Sequence, residues 1–370
     1  MAIGNAVDRV PVRLFVTSTP SAQNRPTVDG PVVELGLDTF GDITVDTDGH
    51  LLSEAQVIRN VVDEGVLADR LGLDFFGVGE HHRDDFAIST PETVLAAIAA
   101  RTDRIRLGSA VTVLSSDDPV RVFQRFSTVD AVSNGRAEVI LGRGSFTESF
   151  PLFGFPLDRY EELFDDKLDR FSRLLHGEPV NGLQVFPRTE GSLRTWVGVG
   201  GSPESVVRAA RHGLPLMLAI IGGSPPRFAP FVELYHRALA QFGFEALPVG
   251  VHLHGHVAPT DEQALAELWP HWKRMRVRLG AERGWPPPTL AEFEHSAGAD
   301  GALHAGSPDT VARKIVATVD ALGASRFEMK YSAGTLPHET MMRSIELYGT
   351  EVAPRVRELL ASRSTKSVAV

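Results

Sequence analysis

The feature that most constrains this chain is a rhythm: a short apolar run, then an amphipathic helical pattern, repeated eight times. The runs are VVELGL (32–37), DFFGVG (74–79), RLGSAVTVL (106–114), AEVILG (137–142), TWVGVG (195–200), PLMLAII (215–221), PVGVHLHGHV (248–257) and RFEMKY (326–331). Strands apolar on both faces and separated by helices belong to a parallel sheet covered on each side. Eight strand–helix units are the count of a (β/α)8 TIM barrel, an α/β fold. A chain of 370 residues holds such a barrel with room for insertions.

The helices carry their own start signals. Ser53 with Gln56 predicts a capping box, and Ile58, Val61, Val62, Gly65 and Ala68 follow on one face. Thr90-Pro91, Asp118-Pro119, Ser202-Pro203 and Ser307-Pro308 each offer a side-chain cap, then a Pro where the helix has no use for an N–H. Asp158 precedes a helix that buries Phe164, Leu168, Phe171 and Leu175. Further helices are expected around 227–242 and from Asp261, and the last shows Met341, Ile345, Tyr348 and Val352 on one face. Residues 31–360 thus read as one barrel with insertions near 178–194 and 276–306. Residues 1–30 read as an N-terminal arm rich in Pro, Ser, Thr and Asn, and 361–370 as a C-terminal tail.

Composition removes several function classes. No cysteine is present, which excludes disulfide scaffolds, thiolate metal sites, iron–sulfur clusters and cysteine nucleophiles. The net charge of -10 without a basic run argues against nucleic acid or an anionic membrane as partner. No run of about 18 apolar residues exists. The N-terminus carries Asp8, Arg9, Pro11 and Arg13 where a secretory leader needs an apolar core, so a cytoplasmic protein is expected.

Barrel chemistry gathers at the C-terminal ends of the strands. In GEHHRDDF (79–86), His81 and His82 stand at such an end, where a histidine serves as general acid or base near neutral pH, or caps the strand beside Glu80 or Asp84-Asp85. In LGRGS (141–145), Arg143 lies between two glycines, suited to a phosphate or to bridging loops. GGSPES (200–205) places Gly200, Gly201, Ser202 and Ser205 at a helix start, which suits a phosphate or serves only as a cap. GSPDTV (306–311) repeats that pattern, so the motif carries its own control. His252, His254 and His256 alternate along one face of the seventh strand, but the end of the eighth offers Tyr331-Ser332 and no carboxylate, so no metal site is expected.

Residues 77–146, with the strand-end Glu-His-His, GSAVTVL followed by Asp-Pro-Val-Arg, and Asn-Gly-Arg before the strand leading to Gly-Arg-Gly, resemble the bacterial luciferase-like family of flavin-dependent monooxygenases. The likeness extends through FGFPLDRYEE (153–162) and WVGVGGSPES (196–205). It implies a luciferase-like barrel, paired as a homodimer, that uses FMN. The implied phosphate ligands are Arg143, Arg159, Ser202 and Ser205, with the flavin ring across Ala110, Val111 and Thr112, and His81 beside His82 assisting the flavin chemistry. It further implies that reduced FMN arrives as a co-substrate from a separate flavin reductase and, with dioxygen, oxidises a small organic substrate. Gly142 stands where light-emitting members have cysteine, so light emission does not follow. The alternatives are a deazaflavin-dependent dehydrogenase of the same superfamily, a metal-dependent barrel hydrolase using the histidines, and a non-catalytic flavin-binding subunit.

Overall fold

The computed structural model describes residues 33–367. The expected arm at 1–30 lies outside them. Eight parallel strands form the central sheet: β1 (Glu34–Thr39), β2 (Phe75–Val78), β3 (Arg106–Ser109), β4 (Ala137–Gly142), β5 (Arg194–Val199), β6 (Leu216–Ala219), β7 (Val249–Val257) and β8 (Arg326–Lys330). β8 pairs with both β1 and β7, through Met329 opposite Leu37 and Leu253, so the sheet closes on itself. The fold is the expected (β/α)8 barrel.

The helices are α1 (Glu54–Arg70), α2 (Pro91–Ala99), α3 (Pro119–Val132), α4 (Tyr160–Leu175), α5 (Pro203–Arg211), α6 (Ala229–Gln241), α7 (Asp261–Arg283), α8 (Leu290–Ala297), α9 (Pro308–Leu322), α10 (His338–Leu347) and α11 (Ala353–Ser367). Among the described residues no helix is long and apolar enough to cross a membrane. Asp118, Ser202 and Ser307 accept backbone N–H groups of the following turn, as their positions before Pro predict. Thr90 makes no such bond, because its backbone leaves the extended region that aims a cap. The capping box at α1 is only half formed: Ser53 accepts the Gln56 N–H, but the Gln56 side chain reaches on to Asn60. Asp158 lies inside a tight turn (Leu157–Arg159) that precedes α4 and is not its cap.

The region 276–306 opens with the last turns of α7, contains α8, and ends in a short strand, His304–Gly306, paired with Gly255–Val257 of β7. α8 is closed by a complete Thr289–Glu292 capping box. Residues 178–194 hold no helix and only a tight Val180–Leu183 turn before β5. The expected tail at 361–370 is helical as far as Ser367, and Arg363 pairs with Asp320 on α9.

Inside the barrel, Phe75, Ile140, Trp196 and Met217 pack with Val111. Below them Arg326, with no exposed surface, makes a two-pronged bond to Glu138 at 2.7 and 3.0 Å and a third bond to Glu34 at 2.6 Å. Its guanidinium lies 4.6 Å from the rings of both Phe75 and Trp196. Burial pushes Glu138 upward, but Arg326, Arg194 and Arg106 outweigh it and hold the carboxyl at about 2. Removing one member of such a buried ion pair costs about 3–5 kcal/mol, since the other charge is stranded. This rigid floor leaves the opposite, C-terminal end free for chemistry.

Candidate active site

The loop after β2 is anchored by Glu80. One oxygen meets His82 Nε2 at 2.9 Å and the other accepts the Val113 N–H at 2.9 Å, tying the loop to the end of the third strand. His82 is thereby held in place, with its ring edge-on to Phe153. His81 points elsewhere, between Phe40 (4.7 Å between ring centres), Phe86 (4.3 Å) and Phe146 (5.0 Å). Burial drives its pKa down to about 3; Asp42 opposes this, while Lys330 and Arg83 add to it. His81 is therefore neutral throughout the physiological range. That corrects the expectation of a group titrating near neutral pH: desolvation leaves an uncharged imidazole able to donate or accept a hydrogen bond.

The third strand does not run unbroken from 106 to 114. β3 stops at Ser109 and pairing resumes only at Thr112–Val113, with a cis peptide between Ala110 and Val111. Val111 swings into the mouth because Gly142 and Gly198 leave room. A Cβ on Gly142 would lie 2.4 Å from Val111 Cγ2, and one on Gly198 3.0 Å from Cγ1. Gly142 therefore cannot carry a side chain without displacing this wall. The Thr112 hydroxyl is buried and has no partner among the described residues.

Arg143, at the end of β4, bonds Glu161 on α4 and lies over the Tyr160 ring at 5.3 Å. Glu161 also accepts from the buried Arg208 of α5 at 2.9 Å. Arg208 in turn donates to Ser205 Oγ at 3.2 Å and pairs with Asp165. Ser202 Oγ accepts the Ser205 N–H at 3.2 Å and touches Ser205 Oγ at 3.1 Å. The Gly201 and Ser202 N–H groups have no acceptor among the described residues, and the space over the Gly200 Cα is open. Arg143, Arg208, Ser202, Ser205 and two free N–H groups thus face one turn, a donor set that fits a phosphate monoester. Glu161, and Glu204, which accepts from the Ser202 hydroxyl at 3.0 Å, are the carboxylates a phosphate would have to displace. Arg159 is not part of this set: its guanidinium is taken up by Glu162 on the exposed surface.

Sequence reasoning missed Arg208, in the last turn of α5, and Glu161, in the first turn of α4, because both lie in charged stretches that read as solvated faces. It also missed the ties that hold α7 over the mouth. Arg83 bonds Asp85, Glu148 and Glu282, and Arg283 donates to the Ser145 carbonyl at 3.2 Å. Inside the mouth it missed Asp38, which meets His252 Nδ1 at 2.8 Å, and the buried pair Lys330–Asp42 at 3.0 Å. The carboxylate sought at the end of the eighth strand stands two residues before its end, as Glu328. Asp38, His252 and Glu328 each bring one ligand-type atom within 4.8 Å of the others. A cavity of about 460 Å³ lies elsewhere, lined by Leu67, Leu71, Val257 and Leu347. None of His81, His82, Thr112, Arg143, Ser202 and Ser205 lines it, so the convergence of polar groups, not cavity size, marks the candidate site.

Residues 40–326 match the luciferase-like monooxygenase family. The 4-hydroxyprotoasukamycin monooxygenase of Streptomyces nodosus subsp. asukaensis is 30% identical over 314 residues, 78% of this chain and 84% of that one. Monooxygenase RslO1 from Streptomyces bottropensis shares the fold with a TM-score of 0.74 at 22% identity, over 87% of this chain and 99% of its own. The oxygenating constituent of 3,6-diketocamphane monooxygenase of Pseudomonas putida, solved in complex with FMN, does so at 0.69 and 20%, over 88% and 99%. The coenzyme F420-dependent tetrahydromethanopterin reductase of Methanopyrus kandleri aligns at 0.61 and 16%, again over 88% and 99%.

Proposed function

This chain belongs to the luciferase-like monooxygenase family, and from that premise we propose that it is an FMN-using, two-component monooxygenase acting on a small organic substrate. The observation that carries the reading is the turn at the start of α5, where two arginines, two hydroxyls and two free N–H groups meet. Arg143, Arg208, Ser202 and Ser205 would hold the FMN phosphate, and Ala110, Val111 and Thr112 would support its ring. When bound and reduced, the flavin supplies the electrons with which dioxygen is activated.

The chain's own residues do the rest. His81, neutral among three aromatic rings, offers a hydrogen bond without adding charge to the mouth. Phe40, Phe86, Phe146 and α7 exclude water from that position, which guards against loss of reducing equivalents to solvent. Glu80 and His82 fix the loop that carries His81. Delivery of reduced flavin by a separate reductase, assembly as a homodimer and a cytoplasmic setting complete the proposal.

Titration with reduced and oxidised FMN, followed by fluorescence, tests it. Binding of the reduced form at micromolar concentration or tighter is expected, with peroxide formation on exposure to air. A second reading, hydride transfer with a deazaflavin, is favoured by the likeness to the F420-dependent reductase. Selective binding of the deazaflavin would establish that reading. No binding of either cofactor would overturn both.

A further inference from the structure

We propose that Asp38 and His252 form a proton-accepting pair in the barrel mouth, serving a substrate that carries an acidic hydroxyl, such as an enol or a phenol. The proposal rests on the reading above only in placing the substrate at this mouth.

The geometry sets the tautomer. Asp38, wholly buried on β1, meets His252 Nδ1 at 2.8 Å. An ionised carboxylate has only lone pairs to offer, so facing one Nδ1 is the donor, and the lone pair of an uncharged ring then lies on Nε2. Among the described residues Nε2 has no partner, and His252 is 7% exposed. A buried Asp behind an imidazole with one open nitrogen is the arrangement that orients a base and stabilises the imidazolium it becomes.

The groups around the pair favour the same direction of transfer. From β8, Glu328 is pushed far above the carboxylate range by burial, with Asp38 adding to the effect, so it stands as a neutral acid. Asp38 is then not opposed by a second negative charge. Lys330, also from β8, is held in a buried ion pair with Asp42 at 3.0 Å and lies 4.5 Å from the Phe40 ring, so the two charges largely offset each other at the mouth. Burial holds His254, the neighbour on β7, well below its usual value and therefore neutral, and His81 across the mouth is neutral as well. The Phe40 ring is parallel to the His252 ring within 8°, with centres 6.0 Å apart, giving a flat apolar wall for a conjugated ring or enol. In the transfer the substrate O–H bond breaks, an N–H bond forms at Nε2, and the electron pair stays on oxygen. The conjugate base is thereby electron-rich where an oxidant must attack, and no redox partner is consumed in this step.

The test uses flavin-free protein and 4-nitrophenol, whose anion is yellow. At mildly acidic pH, where the free probe is mostly the colourless phenol, the wild type is expected to bind it as the anion. His252→Gln should hold about tenfold less anion, one pKa unit of lost stabilisation, and Asp38→Asn should fall between the two. Binding as the phenol, or no binding to the wild type, overturns the proposal. The ring nitrogens of His252 give a measurement that does not depend on either variant folding. Nitrogen-15 shifts should show protonation at Nδ1 and a bare Nε2, and the opposite tautomer overturns it. Neither readout involves flavin, so failure here leaves the FMN titration standing, and loss of FMN binding leaves this result intact.

Discussion

Two turns of the same sequence, Gly201-Ser202-Pro203 and Gly306-Ser307-Pro308, begin α5 and α9 in the same way. In each, the serine hydroxyl accepts the N–H three residues on, at 3.2 and 3.5 Å. They part in what meets the remaining donors. At the second turn Asp261 takes the Ser307 N–H at 2.6 Å and the Thr310 hydroxyl at 3.0 Å, so the helix start is closed by the protein's own carboxylate. At the first turn the Gly201 and Ser202 N–H groups meet no such group, and Arg143 and Arg208 stand beside them. The cap is a local property that four residues suffice to make. Whether it also receives an anion depends on what distant elements bring to it.

That contrast can be broken by substitution. The largest effect is expected for Arg143→Ala, which should weaken FMN binding by about 1.5–3 kcal/mol, read by titration, with little change in melting temperature. An unchanged affinity would show that the first turn is no more an anion site than the second. Asp261→Asn should do the reverse. Stability should drop by about 1 kcal/mol in thermal denaturation, since one charge-assisted bond and its acceptor are weakened, while FMN affinity holds. A loss of FMN affinity in that variant would dissolve the distinction between the turns. The smallest effect concerns acid. The bond from the Ser307 backbone holds Asp261 below its ordinary value, so its contribution is present above about pH 4, its unfolded range, and fades as pH falls through the lower folded value. A modest acid loss of stability, absent in Asp261→Asn, is expected from melting curves recorded against pH. Identical pH profiles in the two proteins would remove this assignment.

The legible part of this protein is the part set by neighbours in the chain. β4 occupies 137–142 as expected because AEVILG, apolar but for Glu138, has only one placement between two helical patterns. His81 and Arg143 were singled out because a barrel puts chemistry at strand ends, and both lie just beyond strands. Arg208 could not be found that way. On α5 it reads as a solvated charge beside Ser205 one turn away, and only Glu161 and Asp165, brought by α4, make it a buried, paired group. Arg159 differs in its surroundings: on the exposed surface Glu162, three residues on, holds its guanidinium. Asp38 and Glu328 interrupt apolar runs, which was the available sign that the barrel interior holds charge.

By itself, then, the order of residues determined the number of strands, the helix starts and the loops that bear reactive groups, because periodicity and capping act over fewer than about five residues. Only the closed tertiary structure decided which of those groups are charged, which are already taken, and which remain open. Those outcomes depend on burial and on partners brought from distant strands. Asp38 and His252 are separated by most of the chain and meet at 2.8 Å only because β8 lies between β1 and β7 and closes the ring.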